Sequence, residues 1–399
     1  GGGAGLWLLH NDFKFIDCSF DSNSQHVATS GGKQHSGYGG GFQDGDSTNT
    51  KDKQLTIDHC TFNNNQAEKS GGALALETIQ PWTVTGCTFH NNRANGTVND
   101  QDGGGAIFID SQSASFEASI ADCDFDSNIA DSERGTALYI LSSSQSHITF
   151  DGSNTVTNKG ERGSTITSQC GDLIVEGVAF GFQPLQGSST VNNFRALELL
   201  DNSGTTINSC TFTGTGYTNN VPDGQAILSF AAKTISIDQS TFTDCGKAHN
   251  KYSIHSNSNS LVITSSTISC TNPAVSSSAI LVDKFSKLQF IDSTIKDINA
   301  SGNTGRSAGI MYNNNRRGNQ NDCNVLISGS TFDNLLSGNG RAFLGRFARA
   351  SRWSNCTIKN MPDGYYIITL GHLVQTHGDF LFDRLIFVNN TASCPGGGG

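Results

Sequence analysis

"LTIDHCTF", residues 55–62, cannot be one unbroken strand. Leu55 and Ile57 share one parity, Cys60 and Phe62 the other. In a strand, side chains two apart lie on one face, so continuity would send the two apolar pairs to opposite sides. A bend at Asp58–His59 returns all four to one interior. The same break separates Val84 from Cys87, Ile120 from Cys123, and Ile207 from Cys210. After a polar run of variable length comes a third alternation. Gly71 and Gly72 open it, and Ala73 to Leu76 continue it. Ile107 with Ile109, Leu138 with Ile140 and Leu197 with Leu199 repeat it later. Each unit is therefore three short strands separated by three turns.

The unit recurs along the whole chain. Its aromatic or aliphatic position is filled by Phe20, Phe62, Phe89, Phe125, Phe180, Phe212, Phe242, Ile268, Ile295, Phe332, Ile358 and Phe387. A degenerate copy, "ITFDGSNTVTN", occupies 148–158. Most copies lie 24 to 37 residues apart, a period that signals a solenoid. One coil cannot bury its apolar side chains, whereas stacked coils share a continuous column. The expectation is an all-β fold: a right-handed single-stranded parallel β-helix of about thirteen coils, with three short strands per coil. It forms one domain over 1–399, uncapped at both ends.

Repeated letters acquire roles from this stacking. A Phe at one place in every coil sits at roughly the 4.8 Å strand spacing from its neighbours. Three residues on, Asn23, Asn65, Asn92, Asn128 and Asn390 suit a turn that tolerates the left-handed conformation and shares side-chain hydrogen bonds between coils. Two residues before the aromatic, Cys18, Cys60, Cys87, Cys123, Cys210 and Cys356 form an interior column, read as small buried hydrophobes. Stacked neighbours such as 18–60 and 87–123 are within disulfide reach. Cys245 and Cys270, in the same turn of successive coils, are the better bridge candidates.

Composition agrees with strands and turns. Of 399 residues, 15 % are charged, 46 are Gly and only 6 are Pro. No apolar run is long enough for a transmembrane segment. A net charge of −10 lacks the basic footprint of nucleic-acid binding. Eleven cysteines and N-x-[ST] sequons at Asn95, Asn299, Asn355 and Asn389 point to a secreted or cell-surface glycoprotein carrying N-linked glycans.

The motif F-x-x-N with a downstream G-G-A-[ILV] is carried by Phe62, Asn65, Gly71, Gly72, Ala73 and Leu74. Phe89, Asn92, Gly104, Gly105, Ala106 and Ile107 repeat it, and Phe125, Asn128, Gly135, Ala137 and Leu138 keep it loosely. It resembles the repeats of chlamydial polymorphic outer membrane proteins and related right-handed β-helix surface proteins. From Val156 onward the period persists while the motif fades. The resemblance implies an extracellular passenger that adheres or builds a surface layer.

Catalysis on this fold needs carboxylates converging on one coil face. Asp58 aligns with Thr85, Ala121 and Asn208, so no acidic column forms. The N-T-D, D-D, G-H-G and R-I-K elements of polygalacturonase-like enzymes are missing. "DGDSTNTKD", 44–52, places Asp44, Asp46 and Thr48 at alternate positions but lacks the rest of a calcium loop, and is read as solvated. His372 and His377 fall on opposite sides of a strand. The expected protein is thus non-catalytic and without cofactor. It is a structural or adhesive surface glycoprotein; a carbohydrate-active enzyme or a glycan-binding module is the alternative on the same fold.

Two further features bear on assembly. Residues 97–133 carry nine acids and no Lys or Arg, whereas 301–352 carry seven Arg against two Asp. Such runs are ordinarily solvated, or they pair between molecules. The chain opens with a third-strand element, "GGGAGLWLL", and closes on "FVNNTASCPGGGG", which elsewhere leads into that element. Self-association head to tail into a fibre is the expectation drawn from that phase.

Overall fold

The computed structural model describes residues 5–8, 12–26, 28–30, 33–35, 37–44, 54–77, 80–96, 102–111, 115–158, 163–182, 194–214, 225–245, 252–270, 278–283, 287–300, 307–313, 324–337, 342–346, 350–362, 367–370 and 379–391. Among them the secondary structure is all strand, and the chain is a parallel β-solenoid. Three strand positions each recur thirteen times. The chain divides into two compact units. The first is Gly1–Thr206 with Thr215–Val221, the second Ile207–Gly214 with Pro222–Gly399.

In the first unit an entry sheet holds Phe42–Asp44, Leu74–Leu76, Ile107–Ser111, Leu138–Ser142 and Gly163–Gln169. All pair in parallel, with Phe42, Leu74, Ile107, Leu138 and Ile166 in one register. A middle sheet holds Leu55–Asp58, Trp82–Thr85, Glu117–Ala121 and His147–Asp151. An aromatic sheet holds Thr61–Asn63, Thr88–His90 and Asp124–Asp126. A fourth ladder, not foreseen from the sequence, joins Ser24–Gln25, Gln66–Ala67, Arg93–Ala94 and Ile129–Ala130 just after the Asn column. The second unit repeats the three-sheet scheme. Its entry strands include Tyr252–Ser256 and Ser278–Asp283, its middle strands Thr234–Asp238 and Ser260–Thr264, and its aromatic strands Thr211–Gly214, Thr241–Thr243 and Thr267–Ser269.

The parity break in "LTIDHCTF" has a one-residue cause. Leu55, Ile57, Cys60 and Phe62 are all at most 1 % exposed, and His59 between them has φ 50°. The equivalent residue has positive φ in every described unit, whatever its type: Asp17, Gly86, Asp122, Ser209, Gln239, Ser265, Asp292, Asn355 and Arg384 among them. A left-handed residue is costly for most side chains. Stacking holds it in place, because its N–H donates to the next coil, as from His59 to Thr85 O at 2.9 Å and from Ser209 to Asp238 O at 3.0 Å.

Stacking at strand spacing also forces the rings face to face. Phe20, Phe62, Phe89 and Phe125 follow one another at 4.8, 5.0 and 4.8 Å, within 7° of parallel. Phe212 and Phe242 do the same at 4.6 Å in the second unit. Isolated ring pairs prefer offset or edge contacts, so the backbone ladder sets this geometry. The glycine pair has a backbone reason too. Gly71 has φ +68°, and a Cβ on Gly72 would lie 2.1 Å from Gly105 O.

Candidate functional site

Two polar ladders run through the interior. Asn92, fully buried, receives hydrogen bonds on Oδ1 from the Asn65 N–H and from Asn65 Nδ2, both at 3.0 Å. Its Nδ2 donates to Phe62 O at 2.9 Å and to Asn128 Oδ1 at 3.0 Å. Asn65 treats Asn23 and Phe20 in the same way. Asn390 accepts from the Met361 N–H at 3.1 Å and donates to Ile358 O at 3.0 Å. The left-handed residue of this turn is not the column Asn. It is the residue before it: Ser22, Asn64, Asn91, Ser127 and Asn389 carry the positive φ. The column Asn points inward and satisfies the backbone that the turn exposes.

The cysteine column is a hydrogen-bond ladder as well, which corrects its reading as plain hydrophobes. Cys60 Sγ donates to Asp58 O at 3.3 Å and accepts from the Cys18 N–H at 3.4 Å. The N–H groups of Cys60 and Cys87 donate to the Cys87 and Cys123 sulfurs. Asn154 takes the next place, accepting from the Cys123 N–H at 2.7 Å. Beyond Cys210 the column continues as Ser240, Ser266, Ser293 and Ser330, each hydroxyl accepting from the coil before. Each also donates to the carbonyl two residues back, as Cys356 does to Ser354 O. The signal was present in the sequence, since each of these serines sits two before a Phe or Ile.

Among the described residues no pair of cysteines forms a disulfide. Neither 18–60, 87–123 nor the expected Cys245–Cys270 pair is bridged. Cys245 donates instead to Phe212 O and Thr243 O, both at 3.5 Å. Burial pushes the Cys60 thiol up to about 11 and raises Cys245 and Cys356 as well. Protonated buried thiols are poor nucleophiles, so these act structurally.

The sequons differ in exposure. Asn355 and Asn389 are exposed at left-handed turn positions, although Cys356 next door is fully buried. The turn aims one residue outward and its successor inward. Asn95 and Asn299 are half-buried, and Asn299 lines a cavity of about 380 Å³ with Ile298, Leu336 and Pro362. Asp44 is buried and accepts from Gln80 Nε2 at 2.7 Å. Asp46, Thr48, His372 and His377 lie outside the described residues, as do Arg306, Arg316, Arg317, Arg341 and Arg349.

The group that comes nearest to chemistry sits by the entry sheet of the first unit. Burial holds the Glu77 carboxyl up to about 7; Asp110 and Asp44 add to this, while the hydrogen bond from Gln43 opposes it. Tyr38 stacks on Phe108 at 5.7 Å, with Lys69 Nζ 5.4 Å over its ring. Burial pushes its hydroxyl up to about 12. A carboxyl raised this far can serve as an acid near neutrality. Among the described residues no three His, Cys, Asp or Glu side chains gather as a metal site.

The family model of the Chlamydia polymorphic membrane protein repeat matches residues 59–77. That span runs from the bend residue His59 through Phe62 and Asn65 to the strand closed by Leu76. The chain is thus a β-helix repeat protein resembling a family of surface proteins. Neither a curated protein nor a solved structure matches it.

Proposed function

We propose that the chain is an extracellular, non-catalytic protein of a cell surface that builds and adheres through its variable loops. One observation carries this reading. The links from Phe62 to Leu74, from Phe89 to Ile107 and from Phe125 to Leu138 differ in length, yet Leu74, Ile107 and Leu138 stay in register. Interior ladders fix the coil, so the loops vary without cost to the core. A variable surface on a constant scaffold suits recognition of a surface partner. Binding of the purified protein to cultured cells tests it, with and without residues 97–101. A variant that folds cooperatively and binds less supports the reading; absence of binding by the intact protein counts against it.

Head-to-tail assembly is supported by a specific surface. Phe380, Leu381, Phe382, Ile386, Phe387 and Val388 are between 40 and 56 % exposed, whereas Trp353 and Ile358, which pair with Phe382 and Phe387, are fully buried. The exposed side is what a further coil would cover, whether it comes from a longer chain or from a second copy. Sedimentation with negative-stain imaging decides between end-to-end particles and monomers. N-linked glycans belong at Asn355 and Asn389, the two exposed sequons, and intact mass before and after deglycosylation checks them. The Glu77 group favours the alternative of a carbohydrate-active enzyme; shortening of a polysaccharide that is lost in Glu77→Gln would establish it.

A further inference from the structure

A cavity of about 280 Å³ opens in the first unit where the entry strands Leu138–Ser142 and Gly163–Gln169 end. At about 30 Å³ per molecule it has room for roughly nine waters, near the small end of ligand pockets. Its wall is polar: Ser142, Ser143 and Ser144 in succession, with Gln169, Cys170 and Asp201 opposite. Leu141, the strand partner of Gln169, gives it one apolar patch.

Two buried polar atoms here have no hydrogen-bond partner among the described residues. The Ser142 hydroxyl, which lines the cavity, is one. The other is Asn202 Oδ1, on a fully buried side chain whose Nδ2 donates to Ser168 Oγ at 3.1 Å and to Cys170 Sγ at 3.5 Å. Asn202 thus braces the Cys170 wall. Leaving a buried polar atom unpaired costs about 1–3 kcal/mol, and interiors rarely tolerate it without water or a ligand. Trp82 Nε1, Ser111 Oγ and Thr205 Oγ1 are likewise unpaired among the described residues of this unit, and at Ser142 the unpaired hydroxyl belongs to a residue that lines a cavity.

We propose that this pocket binds one uncharged glycosyl unit of a glycan chain. The Ser142 and Ser144 hydroxyls both donate and accept, while the Ser143 hydroxyl is already engaged with Ser146 Oγ; the Gln169 amide does both with fixed geometry, and the Asp201 carboxylate only accepts. Adjacent sugar hydroxyls present that mixture of donors and acceptors. Leu141 suits the C–H face of a ring. The lining has a carboxylate and no Lys or Arg, so a uronate or sulfated sugar would face repulsion without a counter-charge. Gln169 and Asp201 are exposed and reach the ligand from the solvent side. Adhesion gives such a pocket its purpose, and the proposal rests on that reading.

The test uses the full chain and saturation-transfer NMR with glucose, galactose, mannose and N-acetylglucosamine, with glucuronic acid as comparator. At least one uncharged sugar is expected to bind at about millimolar Kd, where a single subsite typically falls. Asp201→Ala and Gln169→Ala, both surface changes, should each weaken it about tenfold, as loss of one good hydrogen bond predicts. No binding by any uncharged sugar overturns the proposal, as does equal binding of glucuronic acid or unchanged affinity in both variants. Cell adhesion by Asp201→Ala at wild-type strength also counts against the pocket and leaves the adhesive reading standing. Sugar binding by a wild-type protein that adheres to no surface supports the pocket and removes the adhesive reading.

Discussion

Replacing Asn92 with Leu should destabilise the first unit by about 2–6 kcal/mol, taking two newly unpaired buried groups at about 1–3 kcal/mol each. The side chain makes four hydrogen bonds from a fully buried position. Leucine abolishes all of them. The Asn65 N–H loses its acceptor, Phe62 O loses a donor, and Asn128 Oδ1 keeps only the Asn92 N–H. Asn65 Nδ2 keeps its bond to Phe20 O, so it is only half deprived. Asn92→Asp keeps the acceptor toward Asn65 but buries a carboxylate against Phe62 O and Asn128 Oδ1, so at neutral pH it should cost at least as much. Urea unfolding followed by circular dichroism reads this as a lower midpoint at unchanged m. A lower m would instead mean that neighbouring coils melt separately, as repeat arrays can. A cost below 1 kcal/mol for Asn92→Leu at unchanged m would refute the view that the ladder stabilises the turn.

Cys60→Ser should be nearly neutral, because Ser240 makes the same two bonds in the second unit, whereas Cys60→Val should cost about 1–3 kcal/mol by unpairing the Cys18 N–H; urea midpoints compare them. Glu77 has a folded pKa of about 7 against 4.5 ordinarily, so the folded state holds the extra proton between these values. Its contribution is full below pH 4.5 and is lost as pH rises through 7, at most about 3 kcal/mol. Glu77→Gln should flatten the stability profile in that window, and an unchanged profile would remove the assignment. Gly72→Ala places a Cβ about 2.1 Å from Gly105 O; since backbone must move, loss of cooperative folding is expected by circular dichroism.

The strand pattern was legible because it rests on parity. Leu55, Ile57, Cys60 and Phe62 cannot share an interior without a bend, and a period of stacked coils follows from that alone. What stayed hidden was whatever depends on the partner coil. His59 and Gln239 are ordinary letters, and nothing in them announces positive φ; the carbonyl of the neighbouring coil holds it. The fourth ladder was missed because two-residue strands such as Gln66–Ala67 are too short to show alternation. The cysteines were taken for hydrophobes because the equivalence of a thiol with Ser240 or Asn154 appears only once the column is stacked. Asn355 and Cys356 are adjacent in sequence, yet the turn sends one outside and the other inside. The polar cavity at Ser142–Ser144 left no trace in the sequence, where a serine run reads as a turn.

The same columns explain why the motif fades while the fold continues. Each interior place accepts more than one chemistry. The bend cap is Cys, Asn or Ser in most described coils, a group able to accept from the coil before, and the buried Val178 in one. The ring place passes from Phe242 to Ile268 without leaving register. The Asn place becomes Ile298, Leu335 and Met361 in the second unit, all buried, where an apolar stack replaces an amide stack. An amide also fits beside the apolar stack, since Asn390 pairs with the Met361 N–H and with Ile358 O of the neighbouring coil. The family match at residues 59–77 falls in the first unit, where Phe62, Asn65, Gly71 and Gly72 carry the motif.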